Sequence, residues 1–348
     1  MLLLMTARPH DALFKTAFEG PAAAAALLRA LLPAEAGDAI AWDTLSRDNA
    51  SFVDVALVDH HSDLLFSARL RTSETAWIYL LLEHQSTGDP AMPLRGLSYQ
   101  VRIWERCRKD QPQAWLPLVI AVVVSHARDG WTTSRSLEDM LDPAVRALPR
   151  LTALMPRFSL LIEDLTYLSD ADLQARSLAA FQKLALWLLR DARDSVRLLD
   201  SFGTWISTMV ELLAGPDGLE SFATLTRYMF QVVDPVHRES LRAKIRLLGP
   251  RAEEIAMTIA EQLIEEGMQK GMQKGRQEGR QEGRQEGRQE GLAEGQIATL
   301  RRLLMFKFKL QTLDPASDAC LQAATPEALD RYVERVLTAD SLAAVFAD

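Results

Sequence analysis

The sequence predicts an α/β fold in roughly its first 150 residues and an all-α arrangement in the remainder. In the first part, strand-like segments are interleaved with helical segments, and the run LPLVIAVVVS (residues 116–125) is apolar and β-branched enough to be a central strand. From about residue 160, apolar side chains recur with the helical period and few strand signals follow. We therefore expect a central sheet flanked by helices, followed by helical packing.

The centre of the predicted sheet is a hairpin. Residues 63–70 (DLLFSARL) and 76–83 (AWIYLLLE) are strand-like, and residues 71–75 (RTSET) form a short polar connection between them. The second segment is apolar almost throughout, which is typical of a strand that is covered on both faces.

Three polar side chains at the ends of these strands are expected to converge. Antiparallel pairing brings Asp63, at the start of the first strand, beside the end of the second. Alternation along the second strand places Glu83 and Gln85 on one face and His84 on the other. Two carboxylates and an amide suit Mg²⁺, which prefers oxygen ligands and usually keeps several waters. The alternative is that these acids are ordinary exposed residues at strand ends.

Four short sequence blocks occur in a characteristic order. They are HDALFK (residues 10–15), SDLLFSARL (62–70), IYLLLEHQS (78–86) and LPLVI (116–120). Together they resemble the Rpn family of recombination-promoting nucleases, a branch of the PD-(D/E)XK nuclease superfamily. The resemblance covers roughly residues 9–126. It implies a PD-(D/E)XK restriction-endonuclease-like core, in which a central mixed sheet is flanked by helices.

The same resemblance implies roles for individual residues. Asp63 and Glu83 match the family's metal-binding acids, and Gln85 stands where the wider superfamily usually has lysine. The implied cofactor is Mg²⁺ (or Mn²⁺), and the implied reaction is endonucleolytic hydrolysis of DNA. Glutamine can orient a water molecule or a phosphate, but it brings no positive charge and cannot act as an acid or base near pH 7.

Two further groups of residues were candidates for the site. Nuclease domains of this superfamily usually begin with a helix that lends a residue to the active site, and His10, Asp11 and Lys15 match it by resemblance. Alternatively, Asp11 only caps that helix. The pair His60 and His61 is better explained by an exposed turn than by a metal site, because adjacent residues of an extended segment point apart.

The charge of the chain restricts how it can bind DNA. A net charge of −8 argues against broad attraction to nucleic acid, which depends on phosphate neutralisation by Lys and Arg. A DNA enzyme therefore needs a local basic patch. Residues 92–109 contain five basic side chains against Glu105 alone, and Arg95 and Arg102 are the DNA-binding candidates among them. A solvated helix face is the other interpretation.

Hydrophobic periods and Pro or Gly breaks predict the remaining elements of the first part. Helices are expected over residues 9–32, with a break at Gly20-Pro21, and over 92–108. A further strand is expected over residues 51–58, and residues 131–158 are expected to be loop and short helices. The resulting order of helix, three strands, helix and strand is the order that the nuclease core requires.

The later part is predicted to be helical. One helix is expected to begin at a cap near Ser169 and to run through Leu189, and another covers residues 191–213 with a break near Gly203. Two more are expected over residues 219–232 and 238–248.

A Gly-x-x-x repeat follows. Eight glycines recur at every fourth position from Gly267 to Gly295, separated by MQK, RQE and LAE units. Four residues overshoot a helical turn by roughly 40°, so the glycines spiral around a helix, and each costs about 1 kcal/mol relative to alanine. The repeat is predicted to be a marginal helix or a flexible tether. Helices are expected again over residues 297–310 and 327–347.

These features predict four regions: a nuclease-like domain, a helical domain, the repeat and a small helical tail, over residues 1–150, 151–266, 267–296 and 297–348. The helical regions are candidates for homo-oligomerisation. Cys107 and Cys320 form neither a disulfide framework nor a zinc motif, which favours a reducing cytoplasm. No membrane association is expected, because the apolar run at residues 116–124 is too short to span a bilayer.

Three functions remain open from the sequence. The first is a Mg²⁺-dependent DNA endonuclease of the PD-(D/E)XK type that promotes recombination. The second is a catalytically weak nuclease-fold module that binds DNA or protein partners, and the third is a structural, self-associating protein. The presence of both acids and of the Glu-x-Gln pair favours the first. Nothing in the chain resembles an Asp-Asp-Glu transposase core.

Overall fold

The computed structural model describes residues 8–48 and 64–347, apart from the side chains of residues 73–76 and Glu83. The described residues form two compact units, one that ends at Gln262 and one that begins at Leu263. The first contains a sheet and many helices, and the second is helical. The four regions expected from the sequence are a finer division than these two units and stay a prediction.

The first unit is built on a five-stranded mixed sheet. Its strands lie side by side in chain order, with β2 antiparallel to both β1 and β3, and with β4 parallel to both β3 and β5. The expected mixed sheet is therefore confirmed. The strands are β1 (Ile40–Asp48), β2 (Leu64–Leu70), β3 (Ser73–Gln85), β4 (Leu118–Ser125) and β5 (Leu161–Asp164).

The strands differ from the expectation in three places. β1 was not predicted, and its pairing register with β2 shifts between Ala41 and Ser46, which interrupts the alternation that sequence reasoning depends on. β5 was also missed because it has only four residues. The hairpin loop is only Arg71-Thr72 instead of residues 71–75, since β3 begins at Ser73. The strand expected over residues 51–58 lies outside the described residues.

Helices of the first unit precede the sheet, cross it and follow it. Several were predicted at nearly these bounds, whereas the short helix after Pro33 was not. The helices are α1 (Pro9–Phe18), α2 (Pro21–Leu31), α3 (Ala34–Ala39), α4 (Met92–Asp110), α5 (Pro143–Arg146), α6 (Pro149–Thr152), α7 (Asp170–Ala175), α8 (Ala180–Asp191), α9 (Ser195–Ser201), α10 (Ile206–Ala214), α11 (Gly218–Val232) and α12 (Arg238–Arg246).

Both faces of the central strands are buried, as the apolar run in β3 predicted. On one face, Leu81 of β3 belongs to a core that includes Tyr99 of α4 and Val123 of β4. On the other face, Leu80 and Leu82 are fully buried. Helix α4 connects β3 to the parallel strand β4, which is the crossover that a parallel pair requires.

The helices after the sheet confirm one cap and correct one helix. Ser169 caps α7 through a capping box with Asp172, as the sequence predicted. The helix expected to run through Leu189 is instead two helices, because the chain is extended at Arg176 before α8 begins at Ala180. The expected break near Gly203 is confirmed by a short 3₁₀ segment between α9 and α10.

A buried ion network stabilises this helical part. Asp191, at the end of α8, is fully buried and accepts hydrogen bonds from Arg190 at 2.7 Å and from Ser201 Oγ at 3.1 Å. Arg197 contacts the same carboxylate at 2.9 Å. Arg190 also pairs with Asp170 at the start of α7. The network therefore ties α7, α8 and α9 together.

Helix α13 (Pro250–Lys307) passes continuously through all eight glycines of the repeat. The glycines from Gly267 to Gly295 are exposed, and a Cβ atom added to any of them would meet no neighbour within 4 Å. Within the described residues, nothing therefore packs against these glycines, although this stretch of α13 is helical. Its marginal stability, expected from the glycine content, stays a prediction.

The second unit has its own small core. The end of α13 packs with α14 (Pro315–Gln322), α15 (Pro326–Thr338) and α16 (Leu342–Phe346). Leu304, Leu321 and Leu329 are fully buried in this core, and Arg301 pairs with Asp318 at 2.5 Å. None of the described helices combines the length and apolarity needed to cross a membrane.

We expect Asp191→Asn to lower the free energy of unfolding by about 3 kcal/mol, since breaking a buried ion pair leaves a charged partner without its counterion. Asp110→Asn is the matched control, because its pair with Arg106 lies at the surface and both side chains are about half exposed. The measurement is urea unfolding followed by circular dichroism. Equal losses in the two variants would contradict the assigned role of Asp191.

Replacing Gly275, Gly279, Gly283 and Gly287 by alanine is expected to stabilise α13 locally by about 1 kcal/mol per site. The measurement is amide hydrogen exchange across the repeat. Gly96→Ala is the contrasting control, because its Cβ would lie 2.8 Å from the Phe158 ring and should destabilise the fold. Unchanged or weaker protection in the quadruple variant would show that the glycines do not limit the helix.

Candidate active site at the end of strand β3

A polar pocket of about 630 Å³ lies where β3 ends. Its walls come from the start of α1, from the last residues of β3 and from the loop that leads into α4. The lining residues include four of the sequence candidates, His10, Asp11, Gln85 and Arg95. The structure thus brings together residues from the first and third sequence blocks.

Asp11 connects α1 to the end of β3. One of its carboxylate oxygens lies 3.0 Å from Nδ1 of His84, a side chain that is fully buried. The residue at the N-cap of α1 is Arg8, and α1 has no side-chain capping bond. The alternative role of Asp11 as a helix cap is therefore wrong, because its carboxylate is engaged by His84.

Three histidines from different elements meet at the pocket, and two of them, His10 and His84, line it. The His84 ring stacks on that of His126, with 4.8 Å between ring centroids, and His10 meets His126 edge-on at 4.9 Å. Phe14 of α1 stacks on the other side of His84. His10 Nδ1 lies 2.7 Å from the hydroxyl of Tyr228 on α11. His84 and Gln85 both line the pocket, and the expected placement of their side chains on opposite faces of β3 stays a prediction.

Sequence reasoning missed His126 and Tyr228. His126 directly follows β4, and parallel strands end at the same edge, so its position after a buried strand was an available signal. Tyr228 lies in the middle of a helix with many apolar residues and carries no local signal. Only the packing of α11 against α1 brings it to His10.

Burial keeps these imidazoles neutral. Burial lowers the pKa of His126 well below its ordinary value, and the neighbouring His84, His10 and Arg193 act in the same direction. Neither ring nitrogen of His126 has a side-chain partner, although the Leu189 carbonyl favours its protonated form. The pKa of His10 falls to about 4, again mainly through burial. Burial also lowers the pKa of His84, against the opposing effect of Asp11.

The backbone of Gln85 is held by β4. Gln85 pairs with Ser125, and its carbonyl accepts a hydrogen bond of 3.0 Å from the His126 amide. The Gln85 side chain is half-buried at the pocket. The last residue of β3 is therefore positioned by main-chain bonds, and its amide is left to contact water or a ligand.

Three further sequence candidates are Asp63, Glu83 and Lys15. Asp63 lies outside the described residues, and Glu83 is a residue of β3 whose side chain is not described. Lys15 is half-buried on α1 but does not line the pocket. Among residues 8–48 and 64–347, no group of three or more His, Cys, Asp or Glu side chains is arranged to hold a metal ion.

Of the two DNA-binding candidates, one lies at the pocket. Arg95 lines it, and its Nη1 pairs with Asp89 at 2.5 Å, so part of its charge is already compensated. Arg102 is half-buried two turns further along α4 and does not line the pocket. Their contact with DNA stays a prediction.

Comparison with known proteins identifies the family. The family described as "Putative transposase, YhgA-like" matches residues 8–215, which is more than half of the chain. The chain belongs to this family. The match includes the whole sheet and the helices up to α10, so the family region extends well beyond the four sequence blocks.

Members with curated names are similar over most of the chain. The recombination-promoting nuclease RpnD of Escherichia coli O157:H7 is 29% identical over 74% of this chain and 95% of its own length. The inactive recombination-promoting nuclease-like protein RpnE of Escherichia coli K12 is 28% identical over 74% of this chain and 82% of its own. The recombination-promoting nuclease RpnA of the same strain is 26% identical over 73% and 83%. No solved structure matches the chain.

Acid is expected to destabilise the first unit through His126. Its pKa in the folded state lies below the ordinary value of 6.5, so the unfolded chain binds more protons just below that pH, and stability falls as the pH is lowered. His126→Phe preserves a stacked ring and removes this titration. We expect its free energy of unfolding to fall less steeply than that of the wild type between about pH 7 and about pH 5.

Urea unfolding at several pH values measures this effect. At about pH 8, where the imidazole is neutral in both states, the variant and the wild type should have similar stability. Identical pH slopes for the two proteins would show that His126 does not titrate on unfolding as described.

Proposed function

We propose that the chain is a Mg²⁺-dependent DNA endonuclease of the PD-(D/E)XK type that promotes DNA recombination. The observation that carries the proposal is the position of Gln85 at the end of a central strand, beside a polar pocket and the start of α1. Ligands of open sheets with parallel strands typically bind at the carboxyl ends of those strands. The names of RpnD and RpnA as recombination-promoting nucleases support the same reaction.

The residues at this edge fit a hard divalent cation. Asp63 and Glu83 are the proposed metal ligands, and Gln85 contributes a neutral oxygen and an amide nitrogen. Asp63 directly precedes β2, whose first residue Leu64 pairs with Leu82, the neighbour of Glu83. The pairing register of the described residues thus agrees with two acids on adjacent strands. A bound Mg²⁺ would supply a Lewis acid that activates water and offsets phosphate charge.

The chain's own residues have distinct proposed roles. Gln85 orients the attacking water or the phosphate, and it cannot take up a proton near pH 7. His84 and Asp11 hold α1 against the end of β3 through their 3.0 Å contact, so they are positioning residues. The neutral histidines add no charge to the proposed metal site.

A second function has specific support. RpnE, which is as similar to this chain as the others, is named as inactive. Together with the neutral Gln85 and the net charge of −8, this favours a nuclease-fold module that binds DNA or protein partners with little cleavage.

Cleavage of supercoiled plasmid by the purified protein separates the two functions. With Mg²⁺ the endonuclease nicks the plasmid, and EDTA abolishes the reaction. Asp63→Asn and Glu83→Gln should each lower the rate by more than about a hundredfold, since even changes to outer-sphere partners of a metal cost 10–100-fold. Glu138→Gln is the matched control, because Glu138 is an exposed acid that does not line the pocket.

The outcomes are distinct when folding is verified by circular dichroism. Absence of cleavage by the wild type with Mg²⁺ or Mn²⁺ would leave the binding module as the function. Equal cleavage by the wild type and by both ligand variants would place the activity elsewhere or in a contaminant.

A further inference from the structure

Arg193 brings a positive charge from the helical part to the end of β3. It lies in the turn between α8 and α9, and its Nη1 donates a hydrogen bond of 2.7 Å to the carbonyl of Ser86. Ser86 directly follows Gln85 and lines the polar pocket. A residue 107 positions away in sequence therefore touches the backbone of the candidate site.

Arg193 differs from the neighbouring arginines in lacking an acid partner. Arg190 and Arg197 both pair with the buried Asp191. Within the described residues, Arg193 forms no ion pair, and the Ser86 carbonyl is its one hydrogen-bond acceptor. A carbonyl can accept a hydrogen bond but does not neutralise a charge. Arg193 is an exposed residue, and an arginine guanidinium is charged at physiological pH.

The surroundings of Arg193 make its positive charge energetically less favourable. Burial of the neighbourhood lowers the pKa of Arg193, and no carboxylate opposes the effect. The charge also disfavours protonation of His10, His84 and His126. Arg193 is therefore a cation beside three neutral imidazoles that an anion would stabilise, although Asp129, Asp194 and Asp234 line the same neighbouring pocket.

A positive charge near Gln85 would have a chemical role, because the glutamine side chain is neutral. The amide brings no charge to the position where the wider superfamily usually has lysine, and the charge of Arg95 is partly compensated by Asp89. A guanidinium matches phosphate oxygens with paired, fixed donors and stays charged at all physiological pH values. Arg193 thus brings to the Ser86 carbonyl a charge that no ion pair offsets within the described residues, although its side chain lines a neighbouring pocket rather than the one at Gln85.

We propose that Arg193 binds a backbone phosphate of the nucleic acid at the end of β3 and supplies the positive charge that Gln85 lacks. The inference rests on the proposed function, which supplies the nucleic-acid ligand and the place of Gln85 in the site. It adds that the helical part completes the site, because the phosphate-binding residue lies beyond β5. The competing role for Arg193 is that of a clamp that only holds the Ser86 carbonyl.

DNA binding without cleavage tests this assignment. The full-length wild type, Arg193→Gln, Arg193→Lys and Arg150→Gln are titrated against a fluorescein-labelled DNA duplex in EDTA, with fluorescence anisotropy as the readout. The titrations are repeated from about 50 mM to about 200 mM KCl, a range over which phosphate contacts change affinity steeply. Arg150 is the matched control, since it is exposed on α6 and lines neither the pocket nor the surroundings of Arg193.

The expected result is a weaker complex with a lower salt dependence for one variant. Arg193→Gln should raise Kd several-fold and reduce the slope of log K against log salt by about 0.9, the value for one lost phosphate contact. Arg193→Lys should retain the slope because it retains the charge. Arg150→Gln should behave as the wild type does.

Other outcomes overturn the inference. An unchanged salt slope with a lower melting temperature for Arg193→Gln would identify Arg193 as a clamp. No binding of the duplex by the wild type at about 50 mM KCl would remove its ligand altogether. Binding that depends on Arg193 without any plasmid cleavage would instead refute the endonuclease and leave the phosphate-binding role intact.

Discussion

The parallel pairing of β3 with β4 sets the position of the residues at the candidate site. It aligns Glu83, His84 and Gln85 with Val123, Val124 and Ser125, and it extends by one hydrogen bond from the His126 amide to the Gln85 carbonyl. A parallel pair cannot be closed by a tight turn, so α4 must cross the sheet between the two strands. The same connection forms the loop that lines one wall of the pocket. Register, crossover and pocket therefore have a common origin.

The interior of this site contains neutral imidazoles, whereas the helical part contains charged pairs. Around Asp191, both signs of charge are present and the carboxylate is shared between two arginines, which offsets the cost of burial. Within the described residues, the carboxylate that contacts the histidine cluster is that of Asp11, which lies against His84. The histidines therefore stay uncharged, and they associate through ring stacking.

The helical part contributes to the site as well as covering it. Helices α8 and α11 both pack on α1, and Gln182 of α8 donates a hydrogen bond of 3.0 Å to the Ala17 carbonyl. Tyr228 and Arg193 reach the end of β3 through this packing. A helical part without a recognisable catalytic motif in its sequence thus supplies two polar groups near the pocket. The family region, which ends at residue 215, includes Arg193 but not Tyr228.

Local patterns predicted most of the elements correctly. The apolar run of β3, the helical period of α4, the β-branched run of β4 and the cap at Ser169 are properties of a few consecutive residues, so they can be read without knowing the fold. The strands β1 and β5 were not predicted. A register shift interrupts the alternation in β1, and β5 is too short to show one. The hairpin loop was overestimated because the polar residues at the start of β3 are typical of a turn.

The amino-acid order alone was sufficient to select Asp63, Glu83 and Gln85 as candidates and to predict His84 on the opposite face of its strand. It could not associate His126, Tyr228 or Arg193 with them. Strand alternation is a local consequence of backbone geometry. The packing of α1, α8 and α11 at the end of the sheet depends instead on the burial of apolar side chains that are far apart in the chain. Contacts between residues so far apart in the chain have no periodic signature in the sequence, and they are visible only in the folded protein.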